Sequence, residues 1–254
     1  MSSTAFSLKG KNALVTGSQV GLGAGIAIAF AEAGANVVVH GIDSRGIDDV
    51  CAAVRAAGTK PVVAMGDVGD AKVCEDLIET TVRELGSIDI LVNNAGIIRR
   101  APAAEFPEKD WADVIEINLN AVWRFCQMAG RRMLAQGNGK IINIASLLSF
   151  QGGILVPSYA AAKGAVAQLT KALANEWASK NINVNAIAPG YMATDNTAAL
   201  RADAARSKAI LDRIPAGRWG TPQDVGGTAV FLASPASDYV NGHVLVVDGG
   251  WMAR

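Results

Sequence analysis

Short apolar runs, rich in β-branched residues, recur along the chain and are bounded by polar or turn-forming residues. Runs of this length are typical of strands that are buried inside a sheet. We therefore predict seven strands, at Asn12–Thr16, Asn36–His40, Pro61–Met65, Ile88–Asn93, Lys140–Ile144, Asn183–Ala188 and His243–Val247.

Amphipathic segments of helical length separate these runs, at Gly21–Ala33, Arg45–Ala57, Ala71–Leu85, Glu108–Ala135, Ser158–Ser179 and Pro222–Ala233. Alternation of strand and helix favours βαβ units with right-handed crossovers. We therefore predict an α/β fold, in which a single doubly wound, Rossmann-type, mostly parallel seven-stranded sheet carries helices on both faces.

Composition favours one dinucleotide-binding and catalytic domain over residues 1–254, because half of the residues are hydrophobic and nothing marks a linker. The segment 194–219 is polar, rich in Ala and Arg, and lacks a strand pattern. We interpret it as a substrate lid that contains short helices.

Charge and targeting patterns narrow the class of partner. The 23 basic residues match the 23 acidic residues and form no long block, so we expect no nucleic-acid partner and no membrane partner. The first residues lack the pattern of a secretory leader, and no apolar run reaches about 20 residues, the length that spans a membrane. We therefore expect a cytoplasmic protein.

Cysteines and histidines are few and scattered. Cys51, Cys74 and Cys126 lie far apart along the chain, and the only histidines are His40 and His243. None of the paired spacings that bind zinc occurs, so we expect no metal site. We interpret His40 as a packing residue at the end of a strand.

A glycine-rich turn, Thr16–Gly23, follows the first predicted strand and opens the first predicted helix. Gly17, Gly21 and Gly23 permit a tight turn and close approach of the backbone to a pyrophosphate at the helix N-terminus. An ordinary strand-to-helix turn would use similar residues. The strand before the turn and the helix after it favour a dinucleotide site.

The end of the second predicted strand bears on the choice of nucleotide. A carboxylate there binds the ribose 2′-hydroxyl of NAD, whereas an arginine binds the 2′-phosphate of NADP. Gly41 stands where the carboxylate usually lies, with Asp43 two positions later and Arg45 beyond it, and Val20 in the glycine turn offers no cation. We predict NAD with Asp43 at the ribose and leave NADP open; the alternative for Asp43 is a helix cap or turn residue.

Tyr159 and Lys163 stand four residues apart, so on a helix both side chains project from one face. A neighbouring ammonium lowers the pKa of a tyrosine from its usual value of about 10 toward the working pH. Ser146, at the end of a predicted strand, can hydrogen-bond the same substrate oxygen. The three residues predict proton exchange with a ketone or alcohol oxygen, although this spacing also fits a packed tyrosine beside a solvated lysine.

Together these features resemble the short-chain dehydrogenase/reductase family over essentially the whole chain. The resemblance rests on Thr16–Gly23, Asn93-Asn94-Ala95-Gly96, Asn118, Ser146, Tyr159, Lys163 and Pro189-Gly190, which occur in the order of that family. It implies a nicotinamide-dependent oxidoreductase that acts on CH–OH groups and assembles as a homotetramer. It also implies catalytic roles for Ser146, Tyr159 and Lys163, and for Asn118 as the holder of a water linked to Lys163.

The family's cofactor-binding positions are also carried over by the resemblance. They fall on Gly17, Gln19, Gly21, Leu22, Gly23, Asp43, Asp67, Val68, Asn93, Ala95, Gly96, Tyr159, Lys163, Pro189, Gly190, Met192 and Thr194.

Several segments at the expected substrate mouth are similar to family members that act on deoxy sugar acids such as 2-deoxy-D-gluconate and 2-dehydro-3-deoxy-D-gluconate. They are Asn93–Arg100, Ser149–Gly153, Ala188–Thr194, Ile210–Gly220 and Asp248–Arg254. A sugar acid needs a cation for its carboxylate and polar partners for its hydroxyls. Arg99, Arg100, Ser149 and Gln151 are the candidates, with Arg213 and Arg218 at the lid edge.

Other interpretations stay open at this point. The paired arginines are also typical of solvated positions or subunit contacts, and Gln151 of a loop cap. The same scaffold would suit a 3-oxoacyl-carrier-protein reductase, another sugar or polyol dehydrogenase, or a non-enzymatic nucleotide sensor. The apolar tail Gly249–Arg254 is expected to dock, either on a neighbouring subunit or within its own subunit.

Overall fold

The computed structural model describes residues 3–254 of the chain. Its strands are β1 (Asn12–Val15), β2 (Asn36–Gly41), β3 (Pro61–Met65), β4 (Ile90–Asn93), β5 (Gly139–Ile144), β6 (Ile182–Pro189) and β7 (Val244–Val247). Its helices are α1 (Gly21–Glu32), α2 (Ile47–Ala56), α3 (Ala71–Leu85), α4 (Glu108–Ile115), α5 (Ala121–Gln136), α6 (Pro157–Trp177), α7 (Ala198–Ala202), α8 (Ala204–Leu211) and α9 (Pro222–Ala233).

The seven strands form one sheet in the order β3-β2-β1-β4-β5-β6-β7. Every neighbouring pair is parallel, so the prediction of a doubly wound seven-stranded sheet is confirmed and the sheet is parallel throughout. The chain order reverses between β1 and β4. In open sheets of this kind, ligands bind at the carboxyl ends of the strands beside that reversal.

The sheet is buried on both faces because helices pack on each side, and neighbouring residues of each strand point to opposite sides. Val15 of β1 packs in the cluster that contains Ile26 and Phe30 of α1. Leu14, the preceding residue, packs in the cluster that contains Phe125 of α5. This explains why the strands read as short continuous apolar runs.

The long predicted helix Glu108–Ala135 differs from the structure in its middle. Residues Glu116–Asn120 form a π-helical turn between α4 and α5. Such a turn is wider than an α-turn and is frequent at functional sites. Here it carries Asn118, which is fully buried, toward the loop after β4.

The segment 194–219 contains short helices, as predicted: a 3₁₀ turn at Asp195–Thr197, then α7 and α8. The C-terminal tail packs against this part of its own subunit. Trp251 is buried, its ring lies 4.7 Å from that of Tyr191, and the Arg213 guanidinium lies 4.0 Å above it. Arg254 donates a hydrogen bond to the Asp212 carbonyl.

Within residues 3–254, no helix is both long and apolar enough to cross a membrane. The same part of the chain holds no group of three or more His, Cys, Asp or Glu side chains arranged to bind a metal ion. The three cysteines are free and buried.

Candidate active site

The glycine turn is held against the end of β4. The Thr16 hydroxyl oxygen accepts hydrogen bonds from the N–H groups of Asn94 and Ala95, each at 3.0 Å. The Asn94 amide donates to the carbonyls of Thr16 and Gly17 at 2.9 and 3.0 Å. Gly17 has a φ of +62°, which favours glycine. A side chain at Gly23 would place its Cβ 2.3 Å from the Gly17 carbonyl oxygen, so this turn tolerates only glycine there.

A cleft of about 530 Å³ runs from this turn to the β5–α6 region. The predicted site residues that line it are Gly17, Gln19, Gly21, Leu22, Asp67, Val68, Ala95, Gly96, Tyr159, Lys163 and Thr194. The cleft is elongated between an anion-binding turn and a tyrosine–lysine pair, and it begins at the N-terminus of α1. These features fit a dinucleotide with its pyrophosphate at the turn and its nicotinamide beside Tyr159.

Sequence reasoning missed several residues that line the cleft. They are Val20, His40, Ile42, Arg45, Gly66, Asn94, Ile97, Ile117, Ile144, Asp195 and Asn196. Asn94 stood inside the Asn93–Gly96 motif and could have been found there. His40 was interpreted as packing only, because nothing in the sequence shows which loops its ring nitrogens meet.

Asn93 does not line the cleft, contrary to the carried-over role. Its side chain is 3% exposed and donates to the Asn143 amide oxygen at 2.9 Å and to the Cys126 sulfur at 3.3 Å. The reason is its place inside β4, where the side chain points into the layer beneath the sheet. Its neighbour Asn94 is therefore the asparagine that borders the cleft.

Gly23, Pro189, Gly190 and Met192 also lie outside the set that lines the cleft. Gly190 permits close packing, because a Cβ there would lie 2.7 Å from the backbone of Asp248. Met192 is buried and its sulfur lies beside Gly220, the residue with which it forms an isolated β-bridge.

The end of β2 is organised around Gln19 rather than around a carboxylate. The Gln19 side chain accepts a hydrogen bond from the Ile42 N–H at 2.7 Å and donates to Asp43 at 2.7 Å. Gly41 leaves the room for it, since a Cβ there would lie 2.0 Å from the Gln19 amide oxygen. Asp43 also accepts from the Arg45 N–H at 3.0 Å and does not line the cleft, whereas Arg45 does.

Tyr159 and Lys163 lie on one face of α6, as predicted from their spacing. The Lys163 Nζ lies 5.6 Å from the centre of the Tyr159 ring and donates a hydrogen bond to the Ile144 carbonyl at 2.6 Å. Lys163 is 4% exposed, and burial lowers its pKa to about 8. The ammonium is therefore held in place by the end of β5, next to the tyrosine.

The pKa of Tyr159 moves in the direction opposite to the expectation. Burial raises it above the ordinary value of 10, while contact with the Ser146 hydroxyl and the positive charge of Arg100 lower it and only partly offset the burial. Desolvation disfavours the phenolate more than these neighbours favour it. Tyr159 is therefore a protonated acid at neutral pH in this structure.

The loop after β5 positions Ser146 and ties it to α6. The Ser146 hydroxyl accepts a hydrogen bond from the Leu148 N–H at 3.1 Å. Ser149 accepts from the Ser146 N–H at 3.3 Å and donates to the Lys163 carbonyl at 2.7 Å. Ser149, a predicted substrate residue, is thus occupied by the backbone, while Gln151 bonds through its N–H to the Leu147 carbonyl.

Both polar atoms of the Asn118 side chain are hydrogen-bonded to the loop after β4. Its amide oxygen accepts from the Ile97 N–H and its amide nitrogen donates to the Ile97 carbonyl, both at 2.8 Å. This two-way bond fixes the π-helical turn beside the cleft wall at Gly96. The Asn118 side chain therefore positions the cleft wall at Gly96. Its role in proton relay stays a prediction.

The two candidate arginines after β4 differ in their surroundings. Arg99 forms an ion pair with Asp110 at 3.6 Å and donates to the Ile98 carbonyl at 3.4 Å. Arg100 has no ion pair among the described residues 3–254, and its charge reaches Tyr159. Arg100 is therefore the better placed cation for a substrate held at Tyr159.

Comparisons with known proteins agree with this geometry. Residues 17–252 match a family model described as enoyl-(acyl carrier protein) reductase. A 2-dehydro-3-deoxy-D-gluconate 5-dehydrogenase of Dickeya dadantii is 57% identical over 250 residues, which make up 98% of each chain.

Two solved structures share the fold along nearly the whole chain. A protein of Agrobacterium tumefaciens, provisionally named 2-deoxy-D-gluconate 3-dehydrogenase and holding NADP, is 54% identical with a TM-score of 0.91, over 98% of this chain and 99% of its own. A gluconate 5-dehydrogenase of Burkholderia cenocepacia, in complex with NADP and tartrate, is 42% identical with a TM-score of 0.94, over 99% of this chain and 98% of its own. With the cleft, the glycine turn and the Ser146–Tyr159–Lys163 cluster, these matches show that the chain belongs to the short-chain dehydrogenase/reductase family, as an oxidoreductase that acts on CH–OH groups.

Proposed function

We propose that this chain transfers a hydride between a nicotinamide cofactor and a secondary alcohol or ketone of a deoxy sugar acid, either at C5 of 2-dehydro-3-deoxy-D-gluconate or at C3 of 2-deoxy-D-gluconate. The observation that carries the proposal is the 57% identity, over 98% of both chains, to a relative named for that activity. The family model's description instead names an acyl-carrier-protein reductase, which makes an acyl thioester the natural competing substrate. The proposal places the enzyme in the cytoplasm.

The residues around Tyr159 supply the proton chemistry of this reaction. The nicotinamide, when bound, donates or accepts the hydride. During reduction, Tyr159, protonated at neutral pH, donates its proton to the substrate oxygen. During oxidation it must first lose that proton to solvent, and the phenolate then accepts the proton of the substrate hydroxyl. The Ser146 hydroxyl binds the same oxygen, and the Lys163 ammonium, 5.6 Å from the centre of the Tyr159 ring, stabilises the phenolate when it forms. A water relay from Lys163 through Asn118 stays a prediction, since both amide atoms of that side chain are bonded to Ile97.

Arg100 is our proposed partner for the substrate carboxylate. A carboxylate bound to a guanidinium gains charge-assisted hydrogen bonds and fixed orientation. Arg99 offers less, because Asp110 already neutralises it. Gln151 remains the candidate for a hydroxyl group, since its side chain makes no hydrogen bond within residues 3–254, whereas the Ser149 hydroxyl is occupied.

Arg100→Gln tests this assignment, with Arg99→Gln as the matched control. We expect the KM for the sugar acid to rise at least about tenfold in the first variant, the cost of one lost charged hydrogen bond, and less than about threefold in the second. The methyl ester of the same acid, which has no carboxylate, should respond equally to both variants. Equal effects of both variants on the free acid would refute the role of Arg100.

The nucleotide preference depends on the two charged residues after β2, Asp43 and Arg45. Asp43 is engaged by Gln19 and the Arg45 N–H, whereas the Arg45 side chain lines the cleft. We therefore propose that NADP(H) binds at least as well as NAD(H), with Arg45 beside the 2′-phosphate, in place of the preference for NAD expected from the sequence. Two structural relatives hold NADP, which supports this proposal.

Arg45→Gln tests the nucleotide assignment. It should weaken NADPH binding about tenfold, as expected when a phosphate loses one cationic partner, and leave NADH binding within about twofold. Fluorescence titration with each nucleotide measures both values. Equal weakening for NADH and NADPH would show that Arg45 does not read the 2′-phosphate.

A further inference from the structure

His40 joins two backbone segments that border the nucleotide cleft. His40 is the second-last residue of β2, and its side chain is 3% exposed. Its Nδ1 accepts a hydrogen bond from the Gly17 N–H at 2.9 Å, and its Nε2 lies 3.0 Å from the Gly66 carbonyl oxygen. A carbonyl can only accept, so Nε2 carries the ring proton and donates it. Both bonds therefore require the neutral imidazole with its proton on Nε2.

The two segments that the ring connects both line the nucleotide cleft. Gly17 begins the glycine turn, and Gly66 leads into Asp67 and Val68; all four residues line the cleft. The ring also lines the cleft, but both of its nitrogens are used by the backbone. It therefore has no donor or acceptor left for the nucleotide and acts through the segments that it holds.

The main chain of His40 strengthens this connection. The His40 N–H donates to the Ser18 hydroxyl at 2.9 Å, and the Ser18 N–H donates to the His40 carbonyl at 2.8 Å. The end of β2 and the glycine turn are thus bonded through both backbone and side chain. A shift of the ring would move the turn with it.

Burial keeps the ring neutral, against the effect of the nearby charges. Residues 16–22 of the glycine turn carry no charged side chain, Asp67 follows Gly66, and Asp43 and Arg45 follow β2. Burial lowers the pKa of His40 below its ordinary value of 6.5, and this outweighs the Gly66 hydrogen bond and the Asp67 charge, which raise it. At neutral pH the ring is therefore in the state that both hydrogen bonds need.

We propose that His40 is a positioning residue for the nucleotide, whose imidazole sets the separation between the Gly17 turn and the Gly66–Val68 segment. The bond to the Gly17 N–H is the more important one, because this N–H loses its buried acceptor if the ring is removed, whereas a carbonyl tolerates loss of a donor better. The inference concerns nucleotide binding alone and does not depend on which substrate the enzyme reduces.

Three variants separate the two bonds. In His40→Asn, the amide oxygen can take the position of Nδ1 and accept from Gly17. In His40→Gln, the amide nitrogen can take the position of Nε2 and donate to Gly66. His40→Leu keeps neither bond, and His243→Leu, at the exposed second histidine, is the matched control.

The readouts are the dissociation constants of NADPH and NADH, from fluorescence titration, and kcat at saturating nucleotide. We expect His40→Leu to weaken both nucleotides about tenfold, the loss of one buried hydrogen bond, with kcat within about twofold. His40→Asn should restore binding to within about threefold of the wild type, and His40→Gln should not. Unchanged binding in His40→Leu, or equal binding in His40→Asn and His40→Gln, would overturn the proposal; the second comparison stands even where His40→Leu does not fold.

Discussion

At the scale of single residues, the chemistry depends on how burial is divided between Tyr159 and Lys163. Burial raises the pKa of the tyrosine above its ordinary value of 10 and lowers that of the lysine to about 8, so the two values move apart. The phenol therefore keeps its proton at neutral pH and can act as the acid toward a substrate oxygen. Ser146 and Arg100 favour the phenolate, and they sit where the substrate would bind.

Tyr159→Phe removes only the hydroxyl that exchanges the proton. We expect kcat to fall by at least about 100-fold, in the range of lost general acid–base catalysis, while NADPH binding changes by less than about twofold. Initial rates and a nucleotide titration measure the two values. Turnover close to that of the wild type would show that another group protonates the substrate.

His40 also predicts how the stability of the fold depends on pH. Its pKa in the folded chain is lowered, so the unfolded chain binds the proton more tightly. The stabilising contribution is therefore complete above pH of about 6.5 and decreases as the pH falls below that value, by up to about 1.4 kcal/mol per pH unit. Urea unfolding at several pH values should show a shallower loss for His40→Asn than for the wild type. Parallel pH profiles would contradict the buried neutral imidazole.

The choice between neighbouring residues was the hardest to predict from the sequence. The motif Asn93–Gly96 was found, but the structure alone shows that Asn94 borders the cleft and that the Asn93 side chain, at the end of β4, is buried against Asn143. Neighbouring side chains along a strand point to opposite faces, so a shift of one position changes which asparagine faces the cleft. The residue at which β4 ends therefore determines that Asn94, and not Asn93, borders the cleft. The burial that raises the pKa of Tyr159 is likewise a property of the folded packing.

At the scale of elements, the strands and most helices could be predicted because each has a periodic apolar pattern. The π-helical turn at Glu116–Asn120 could not, since it shifts the helix by only one residue within a pattern that continues on both sides. Gln19 and Gly41 show a similar limit. Their contact depends on the close approach of the glycine turn to the end of β2, which neither segment encodes alone.

Crowding in the glycine turn predicts that two glycine-to-alanine substitutions differ in their effect on the free energy of unfolding. Gly23→Ala would place a methyl group 2.3 Å from the Gly17 carbonyl oxygen and should cost about 1–3 kcal/mol of unfolding free energy by overpacking, and weaken nucleotide binding. Gly227→Ala, in α9 with nothing within 4 Å of the new Cβ, should be neutral or stabilise the fold by up to about 1 kcal/mol. Urea unfolding of both variants measures the difference, and equal stabilities would contradict the crowding at Gly23.

At the scale of the whole molecule, apolar side chains on α4 and α5 suggest contacts between subunits. Trp111 is 39% exposed and Trp123 is 42% exposed, and tryptophan is enriched at protein interfaces. Homotetramer formation therefore stays our prediction from the sequence, with these helices as one interface.

Light scattering coupled to size-exclusion chromatography tests this assembly. The wild type should elute as a tetramer, and Trp123→Glu should reduce the mass to that of a smaller species, because a charge is buried at the interface. Val63→Glu, at a side chain on the edge strand β3 that is 46% exposed, is the control and should leave the mass unchanged. A monomeric wild type would remove the assembly prediction and leave the catalytic cleft, which lies within one subunit, unaffected.

The most direct measurement is the initial rate of nucleotide oxidation or reduction by the wild type with a panel of substrates. The panel contains 2-dehydro-3-deoxy-D-gluconate and 2-deoxy-D-gluconate, with an acetoacetyl thioester as the competing substrate, each offered with both nucleotides in the appropriate redox state. We predict saturable turnover of a deoxy sugar acid that is abolished in Tyr159→Phe, with kcat/KM at least about tenfold above that for the thioester. Turnover of the thioester alone would contradict the sugar-acid function while leaving Tyr159 as the acid, and no turnover of any substrate would contradict both.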